Sequence, residues 1–496
     1  MSSTSSTRLS DELVDEKKFP GSDPDSSEVS IAESAGSAPI KTWWFRGTIF
    51  QAAVVGICSF LSPGTWNAMS ATGAGGAQSP YLVNAANALV FGLMVFFCAM
   101  GSTLSNKIGL KWSLAFGCSG FAPYAAGLYL NKVHGVVWLV LFGATTCGIS
   151  AGIFWSIEGT IILGYPEARK RGIYLAVWLA LKSGGQLLGG IINTALNIKT
   201  KVAGSVSSNT YLVFIALECL SPFVALLLSE PHKVQREDGT AVVVGTSKDG
   251  FVKEMKTVGR TFLRKEVLLL SGFAFYSSLM GPYQTTFLSL YFTVRARALA
   301  SLLSAILGIS VNFMFGIFLD SRRFTLATRA RVSFLVVAIM MLVSWVWGVA
   351  IQVQFSKRAK APSLDFGNAG FAKAYCLYLL YALNTSVSQN VLYFYIAAIS
   401  SKDQSDIGRL SSILRSLESA GSAVGYGITA RKTLPHTIPL GIDIAVWGLS
   451  TIPAWFAIKE IGVSLSGGYE DEDGARAELE QNAVAKGEAA ATSGPL

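Results

Sequence analysis

Long apolar runs separated by short polar turns dominate the amino-acid sequence. A helix on the surface of a soluble protein keeps one polar face, but these runs are apolar nearly all round. A helix of about 20 apolar residues is long enough to cross a bilayer. Runs of this kind lie at residues 45–65, 82–104, 112–130, 136–163, 172–196, 211–229, 266–291, 299–319, 331–354, 371–399, 409–430 and 438–459. The pattern predicts an all-α integral membrane protein with twelve transmembrane helices.

Polar segments divide the chain into five parts. Residues 230–265 form the only long polar segment in the interior, and they separate the first six apolar runs from the last six. Both ends of the chain are poor in apolar residues and cannot bury enough apolar area to fold. We expect a disordered tail over 1–42, a six-helix bundle over 43–229, a cytosolic linker over 230–265, a second six-helix bundle over 266–461 and a disordered tail over 462–496.

The bulk composition supports a membrane protein and argues against other classes. Of the 496 residues, 51% are hydrophobic and only 14% are charged, which is too little charge to hydrate the surface of a soluble protein of this length. The formal net charge of +9 does not indicate nucleic-acid binding, because the basic residues lie in short turns between apolar runs. The six cysteines and three histidines are not spaced like metal ligands, so we expect neither metal nor cofactor.

The positions of lysine and arginine predict the orientation in the membrane. If both tails are cytosolic, the linker and the turns that contain Lys107 and Arg169–Arg171 are cytosolic as well. The basic loop near residues 355–370 is the exception on the opposite side. We therefore expect a multi-pass protein of the plasma or vacuolar membrane with both termini in the cytosol.

Two turns at corresponding positions of the two halves are similar. They read Ser102-Thr-Leu-Ser-Asn106-Lys107-Ile-Gly109-Leu-Lys111 and Gly316-Ile-Phe-Leu-Asp320-Ser-Arg322-Arg323. Internal repeats are typical of transporters built from two halves. The turns resemble the loop signature of the major facilitator superfamily, G-x-x-x-D-R/K-x-G-R/K. The second copy retains Gly316 and Asp320, whereas the first has Ser102 and Asn106 instead.

Further strings resemble the fungal UNC-93-like branch of that superfamily. They are Trp66-Asn67-Ala-Met, Gly73-Ala-Gly75-Gly76, Gly148-Ile-Ser-Ala-Gly with Trp155 and Tyr165-Pro166-Glu167, Phe292-Thr-Val-Arg295-Ala-Arg297-Ala-Leu299, and Ser419-Ala-Gly421-Ser-Ala. The resemblance implies a twelve-helix major facilitator fold, in which two six-helix bundles rock about a central site. Glu158 and Glu418 stand where this branch is expected to have Gln. The resemblance therefore implies the fold but not the identity of the substrate.

Charged turns are the candidates for gating residues. In the superfamily, an acidic residue at the end of a span pairs with nearby basic residues and holds one conformation of the transport cycle. Asp320 with Arg322, and Glu167 with Arg169, have the composition for this role. The alternative is that these charges only keep their turns in the cytosol.

Ionisable residues inside the apolar runs are the sharper candidates for a site. Glu158 and Lys182 lie at similar depths in sequential antiparallel helices, about 12 and 15 Å in, and could pair. Arg415 precedes Glu418 by three residues on one helical face, so these two charges can neutralise each other. A charge inside a bilayer costs at least about 2.5 kcal/mol, which favours a partner or a cavity. The substrate-binding or coupling candidates are Glu158, Lys182, Gln186, Gln389, Arg415 and Glu418.

Several other residues are weaker candidates for a site. Arg295 and Arg297 could attract anionic solutes, or they could have a structural role at a helix turn. Gly73–Gly76 is interpreted as a tight turn, because it lacks the Lys-Ser/Thr of a phosphate-binding loop. Glu218 is a further cavity candidate, and Asp443 is expected at the membrane interface. Aromatic residues that could line a cavity or pack between helices include Trp155, Trp178, Tyr283, Tyr393 and Phe394.

The function predicted from these features is transport. The intramembrane charges could form structural pairs, contact a solute or couple protons. We expect a monomeric secondary-active transporter that moves a small organic solute across the lipid bilayer by alternating access. The residues leave the direction open, and efflux of a metabolite or xenobiotic is suggested only by analogy with the fungal branch. The alternative is a non-transporting membrane protein that regulates or escorts a partner. An enzyme is not expected, because no catalytic constellation is present in the sequence.

Overall fold

The computed structural model is nearly all helical. The residues that it describes are 43–77, 79–166, 171–237, 239–242, 251–319, 321, 323–358, 361–400 and 404–462.

In the part of the chain that the structure describes, eight helices precede the linker, and we call them the N-terminal group. They are α1 (Thr48–Ser59), α2 (Thr65–Ser70), α3 (Pro80–Ile108), α4 (Leu110–Ser119), α5 (Phe121–His134), α6 (Trp138–Gly164), α7 (Arg171–Asn197) and α8 (Ser208–Ala225). A π-helical turn over Phe60–Gly64 joins α1 to α2 and contains Pro63. Proline has no N–H to donate within a helix, and the wider turn accommodates this loss.

Seven further helices come after α8 in the described residues. They are α9 (Phe251–Phe262), α10 (Lys265–Tyr291), α11 (Val294–Leu319), α12 (Leu326–Ser356), α13 (Phe371–Ile399), α14 (Gln404–Thr429) and α15 (Thr437–Ile458). We call α10–α15 the C-terminal group. The helix α9 lies in the segment that the sequence identified only as a polar linker.

Every predicted apolar run overlaps a helix, but the number of membrane spans stays a prediction. Among the described residues, seven helical stretches are long and apolar enough to cross a bilayer. The run at 112–130 is divided at Gly120 into α4 and α5, and neither part is long enough alone. Gly120 packs so closely on α6 that a Cβ there would lie 2.2 Å from Ser150 Oγ.

The two groups bury separate apolar cores. The core of the C-terminal group is rich in aromatic side chains, including Phe273, Phe287 and Tyr381. The N-terminal group contains two smaller clusters, one of which Val294 of α11 joins. The groups meet mainly where α3 packs on α14 and where α7 packs on α11. At the second crossing a Cβ on Gly190 would lie 2.8 Å from the Cα of Leu302, so glycine permits the close approach.

The position of the linker distinguishes the two sides of the helix assembly. On one side Gln235 accepts a hydrogen bond from the Trp43 N–H at 2.8 Å, and Lys265 pairs with Glu460 at 3.4 Å. These contacts bring together the start of α1, the linker and the end of α15. We call this the linker side and the opposite side the far side.

Candidate functional site

Ionisable residues from both helix groups meet in one cluster inside the assembly. Lys182 of α7 and Arg415 of α14 each lie eleven residues after the start of their helix, about 16 Å along it. Glu158 lies six residues before the end of α6, and Glu418 follows Arg415 by one turn. Both carboxylates are buried. We call these four residues and Trp155 the central cluster.

Trp155 joins the two groups within the central cluster. Lys182 Nζ lies 4.3 Å from the centroid of its ring, and Arg415 Cζ lies 4.5 Å from the same centroid. Trp178 lies 5.0 Å from Lys182 Nζ, and Tyr393 lies 5.2 Å from Arg415 Cζ. A desolvated cation on an aromatic face gains up to about 2 kcal/mol. Both cations are therefore held on aromatic faces.

Glu158 and Lys182 do not form the direct ion pair that their depths would allow. Among the described residues, no carboxylate oxygen lies within 4.0 Å of Lys182 Nζ, and Lys182 makes no hydrogen bond. Ser59 Oγ instead donates to Glu158 Oε2 at 3.4 Å and accepts from Trp178 Nε1 at 3.0 Å. The ammonium group of Lys182 thus keeps its N–H donors available for another acceptor.

Arg415 and Glu418 form the pair that their spacing predicts. Arg415 Nη1 lies 3.1 Å from Glu418 Oε2, and the Arg415 side chain is 20% exposed. The second carboxylate oxygen, Glu418 Oε1, is buried and has no hydrogen-bond partner among the described residues. A buried acceptor without a donor is costly. The central cluster therefore contains unused donors and an unused acceptor.

The two glutamine candidates each lie one helical turn from a residue that belongs to the central cluster or contacts it. Gln186 follows Lys182 by one turn on α7, and Gln389 precedes Tyr393 by one turn on α13. Both side chains are half-buried, and neither forms a hydrogen bond with a described residue. Their assignment to the site rests only on this one-turn spacing along each helix, and it stays a prediction.

The predicted gating residues cannot be placed. Asp320, Arg322, Glu167 and Arg169 all lie outside the described residues. Their gating role stays a prediction.

Arg297 links the two groups on the far side. Sequence analysis did not identify this link. Arg297 lies in the first turn of α11 and is 1% exposed. Its guanidinium donates to four backbone carbonyls of the N-terminal group, those of Thr72 (2.7 Å), Gly73 (2.8 Å), Ala77 (3.0 Å) and Gly204 (2.9 Å). We call these contacts the far-side seal. No side-chain signal could reveal them, because every acceptor is backbone.

The glycine turn after α2 supplies part of this seal. Gly73, Gly75 and Gly76 have φ values of 76°, 55° and 79°, which side chains rarely adopt. The prediction of a tight turn at Gly73–Gly76 is therefore confirmed. Nearby, Ser301 Oγ donates to the Ala68 carbonyl at 2.7 Å, and so adds another bond between the groups.

Arg295 makes a different contact, within its own group. Its Nε lies 2.7 Å from Asp365 Oδ1, and Thr293 also donates to this oxygen. Burial raises the pKa of Asp365, but the hydrogen bonds from Arg295 and Thr293 outweigh it and hold the pKa below its ordinary value. Arg295 and Arg297 are both engaged in protein contacts, which favours the structural interpretation of this pair.

Two further acids are buried away from the central cluster. Thr65 donates to Glu218 Oε1 at 3.3 Å, whereas Oε2 has no partner among the described residues. Asp443 is buried near Tyr276 and Tyr381 of the C-terminal group, and its expected position at the membrane interface stays a prediction.

Comparisons with known proteins agree with this architecture. The family model described as "Ion channel regulatory protein UNC-93" matches residues 79–318. Notoamide biosynthesis cluster protein O' of Aspergillus versicolor is 38% identical and covers 86% of this chain and 92% of its own length. A UNC93-like protein of Schizosaccharomyces pombe is 30% identical over 83% of this chain and 84% of its own. A D-xylose-proton symporter aligns with a TM-score of 0.58 at 14% identity, over 84% of this chain and 97% of that chain. The last match shows the fold, which is that of the major facilitator transporters.

Proposed function

The chain belongs to the UNC-93-like family of the major facilitator superfamily, and on that premise we propose that it is a secondary-active transporter of a small organic solute. The observation that carries the proposal is the central cluster, which both helix groups build. A solute bound between Lys182 and Arg415 would contact both groups at once. It could therefore stabilise one arrangement of the groups over another, as alternating access requires.

The state of the charges supports solute handling over a purely structural role. Lys182 and Glu158 lack the direct ion pair that would offset the cost of placing each charge in a membrane. Arg415 remains partly exposed, and no described residue donates to Glu418 Oε1. A solute with both hydrogen-bond acceptors and donors would satisfy these groups.

The far-side seal supports alternating access. It holds the two groups together at the far side, so the transport cycle must break the bonds of Arg297 to expose the central cluster there. With both termini in the cytosol, as the basic turns predict, the sealed side faces away from the cytosol. The proposed rocking bundles are residues 43–229 and 266–461. The proposed gates are the pair of Asp320 with Arg322 and the pair of Glu167 with Arg169.

The solute class to test first is suggested by a relative. The name of the Aspergillus versicolor protein assigns it to a notoamide biosynthesis cluster, so metabolites of such clusters should lead the solute panel, with efflux as the direction. Purified protein would be screened by thermal shift against the panel, because a ligand of the folded state raises its melting temperature. Binders would then be tested for uptake into proteoliposomes. Failure of every binder to be transported would contradict the proposal.

The second candidate is a regulatory membrane protein without transport. The match of residues 79–318 to a family described as channel regulators favours it. Its expected signature is a change in the current of a co-expressed ion channel, together with no solute movement by the purified protein. Wild-type uptake in liposomes that contain no other protein would exclude it as the sole function.

A further inference from the structure

The helix α9 has two different faces. On one face, Met255, Val258 and Phe262 are partly buried, and Val258 and Phe262 pack on the core of the C-terminal group. Glu254 fastens the helix further, because it accepts from Arg409 Nε of α14 at 2.8 Å. The helix therefore has a fixed orientation relative to the C-terminal group.

The other face combines exposed apolar and basic side chains. Val252 is 79% exposed, and Leu263, directly after the helix, is 67% exposed. Lys256 and Arg260 are exposed on the same face, one and two turns after Val252. Among the described residues neither basic side chain has a hydrogen bond or an ion pair. Apolar residues exposed beside basic ones are typical of helices that lie in a membrane interface.

The position of α9 places the helix near a membrane surface. Only Leu263 and Arg264 separate it from α10, whose first residue is Lys265. The helix therefore lies on the linker side, at the end of a helix predicted to cross the bilayer. If the linker is cytosolic, the adjacent lipid leaflet is the anionic one.

We propose that the face formed by Val252, Lys256, Arg260 and Leu263 binds anionic lipid headgroups of the cytosolic leaflet. The two apolar side chains insert at the level of the headgroups, and the two basic side chains contact lipid phosphates and carboxylates. Because Glu254 ties α9 to α14, lipid bound here lies on a helix that is fastened to α14, which carries Arg415 and Glu418. The surface does not depend on the proposed transport activity.

The test uses the full chain in lipid nanodiscs with a fluorophore on α9. Gly259→Cys provides the attachment point, because a side chain there meets nothing within 4 Å. Cys219 and Cys376 are replaced with Ser because they are exposed, whereas the other four cysteines are buried. Increasing fractions of brominated phosphatidylserine in phosphatidylcholine discs quench the fluorophore. The fraction that gives half-maximal quenching measures the preference for anionic lipid.

The double variant K256Q/R260Q gives the decisive comparison. Each basic residue near an anionic leaflet strengthens association by about fivefold, so the affinity for anionic lipid should fall by about 25-fold. The double variant should therefore need a clearly larger fraction of brominated phosphatidylserine than wild type for the same quenching. The matched control K357Q/R358Q removes two exposed basic residues directly after the C-terminal end of α12, away from α9. It should leave the half-maximal fraction of brominated phosphatidylserine unchanged. Added salt should weaken the wild-type preference, because it screens exposed charges.

Two results would overturn the proposal. The first is equal quenching by brominated phosphatidylserine and brominated phosphatidylcholine in the wild-type background. The second is an equal shift in K256Q/R260Q and K357Q/R358Q, since that would show a general effect of net charge. Neither result depends on whether the protein transports a solute, so both can be distinguished from failure of the proposed function.

Discussion

Replacing Arg297 with Met removes all four hydrogen bonds that its guanidinium makes to the N-terminal group. The carbonyls of Thr72, Ala77 and Gly204 then lack their donor for as long as the far side is closed, whereas the Gly73 carbonyl still accepts from the Gly76 N–H. When the far side opens, water can reach them. The substitution therefore destabilises the closed arrangement selectively.

The size of the effect follows from the number and type of these bonds. A hydrogen bond to a charged group contributes about 1.5–3 kcal/mol, and bonds from one side chain are not additive. Two such bonds at the lower value already amount to about 3 kcal/mol. Since about 1.4 kcal/mol is a factor of ten, the population open at the far side should rise by more than about a hundredfold.

Accessibility of a cysteine behind the seal measures this population. Ser304 lies two turns after Arg297 on α11 and is buried, and Ser304→Cys changes its volume little. With the exposed Cys219 and Cys376 replaced by Ser, a membrane-impermeant maleimide applied from the far side should label position 304 much faster in Arg297→Met. The matched control is Arg295→Met, because Arg295 pairs with Asp365 inside its own group.

The reasoning is refuted if Arg297→Met leaves the labelling rate unchanged. An equal increase in Arg295→Met would also refute it, because general loosening at the start of α11 would then explain the result.

Three further predictions concern packing, pH and coupling. Gly421→Ala should lower the free energy of unfolding by about 1–3 kcal/mol, because its Cβ would lie 2.0 Å from a backbone carbonyl of α10. Gly427→Ala on the same helix meets nothing and should keep the wild-type melting temperature in detergent, so equal losses would contradict the packing argument. Asp365→Asn should cost up to about 1 kcal/mol at neutral pH. The Arg295–Asp365 pair is fully present above the ordinary aspartate pKa, about 3.9, and is lost as the pH falls through the lowered pKa of the folded protein. The difference in melting temperature from wild type should therefore vanish in strong acid, and a difference that persists there would contradict this assignment. Glu418→Gln should retain solute exchange but lose accumulation driven by a pH gradient; normal accumulation across a pH series would exclude proton coupling through Glu418.

The sequence could identify the charged residues of the central cluster but not their arrangement. Glu158 and Lys182 are conspicuous because they interrupt apolar runs, and the spacing of Arg415 and Glu418 was enough to predict their pair. The role of Trp155 depends on how α6, α7 and α14 cross, which helical periodicity does not encode. For the same reason, the direct Glu158–Lys182 pair suggested by equal depth did not form.

The far-side seal and α9 show two other limits. The acceptors of Arg297 are carbonyls more than 90 residues away in the sequence, so no local pattern marks them. In α9, by contrast, Met255, Val258 and Phe262 recur at helical spacing, which could have predicted a helix within the linker. The number of charges there obscured this signal.

The central claim is that the central cluster handles the transported solute, and uptake by proteoliposomes tests it most directly. A solute selected by thermal shift would be offered to wild type, Lys182→Gln and Lys199→Gln, the last of which removes an exposed lysine just beyond the end of the same helix. The account predicts concentrative uptake by wild type and Lys199→Gln and a loss of at least about tenfold in Lys182→Gln, because a solute contact to an unpaired charge is removed. Equal uptake by Lys182→Gln and wild type would contradict it.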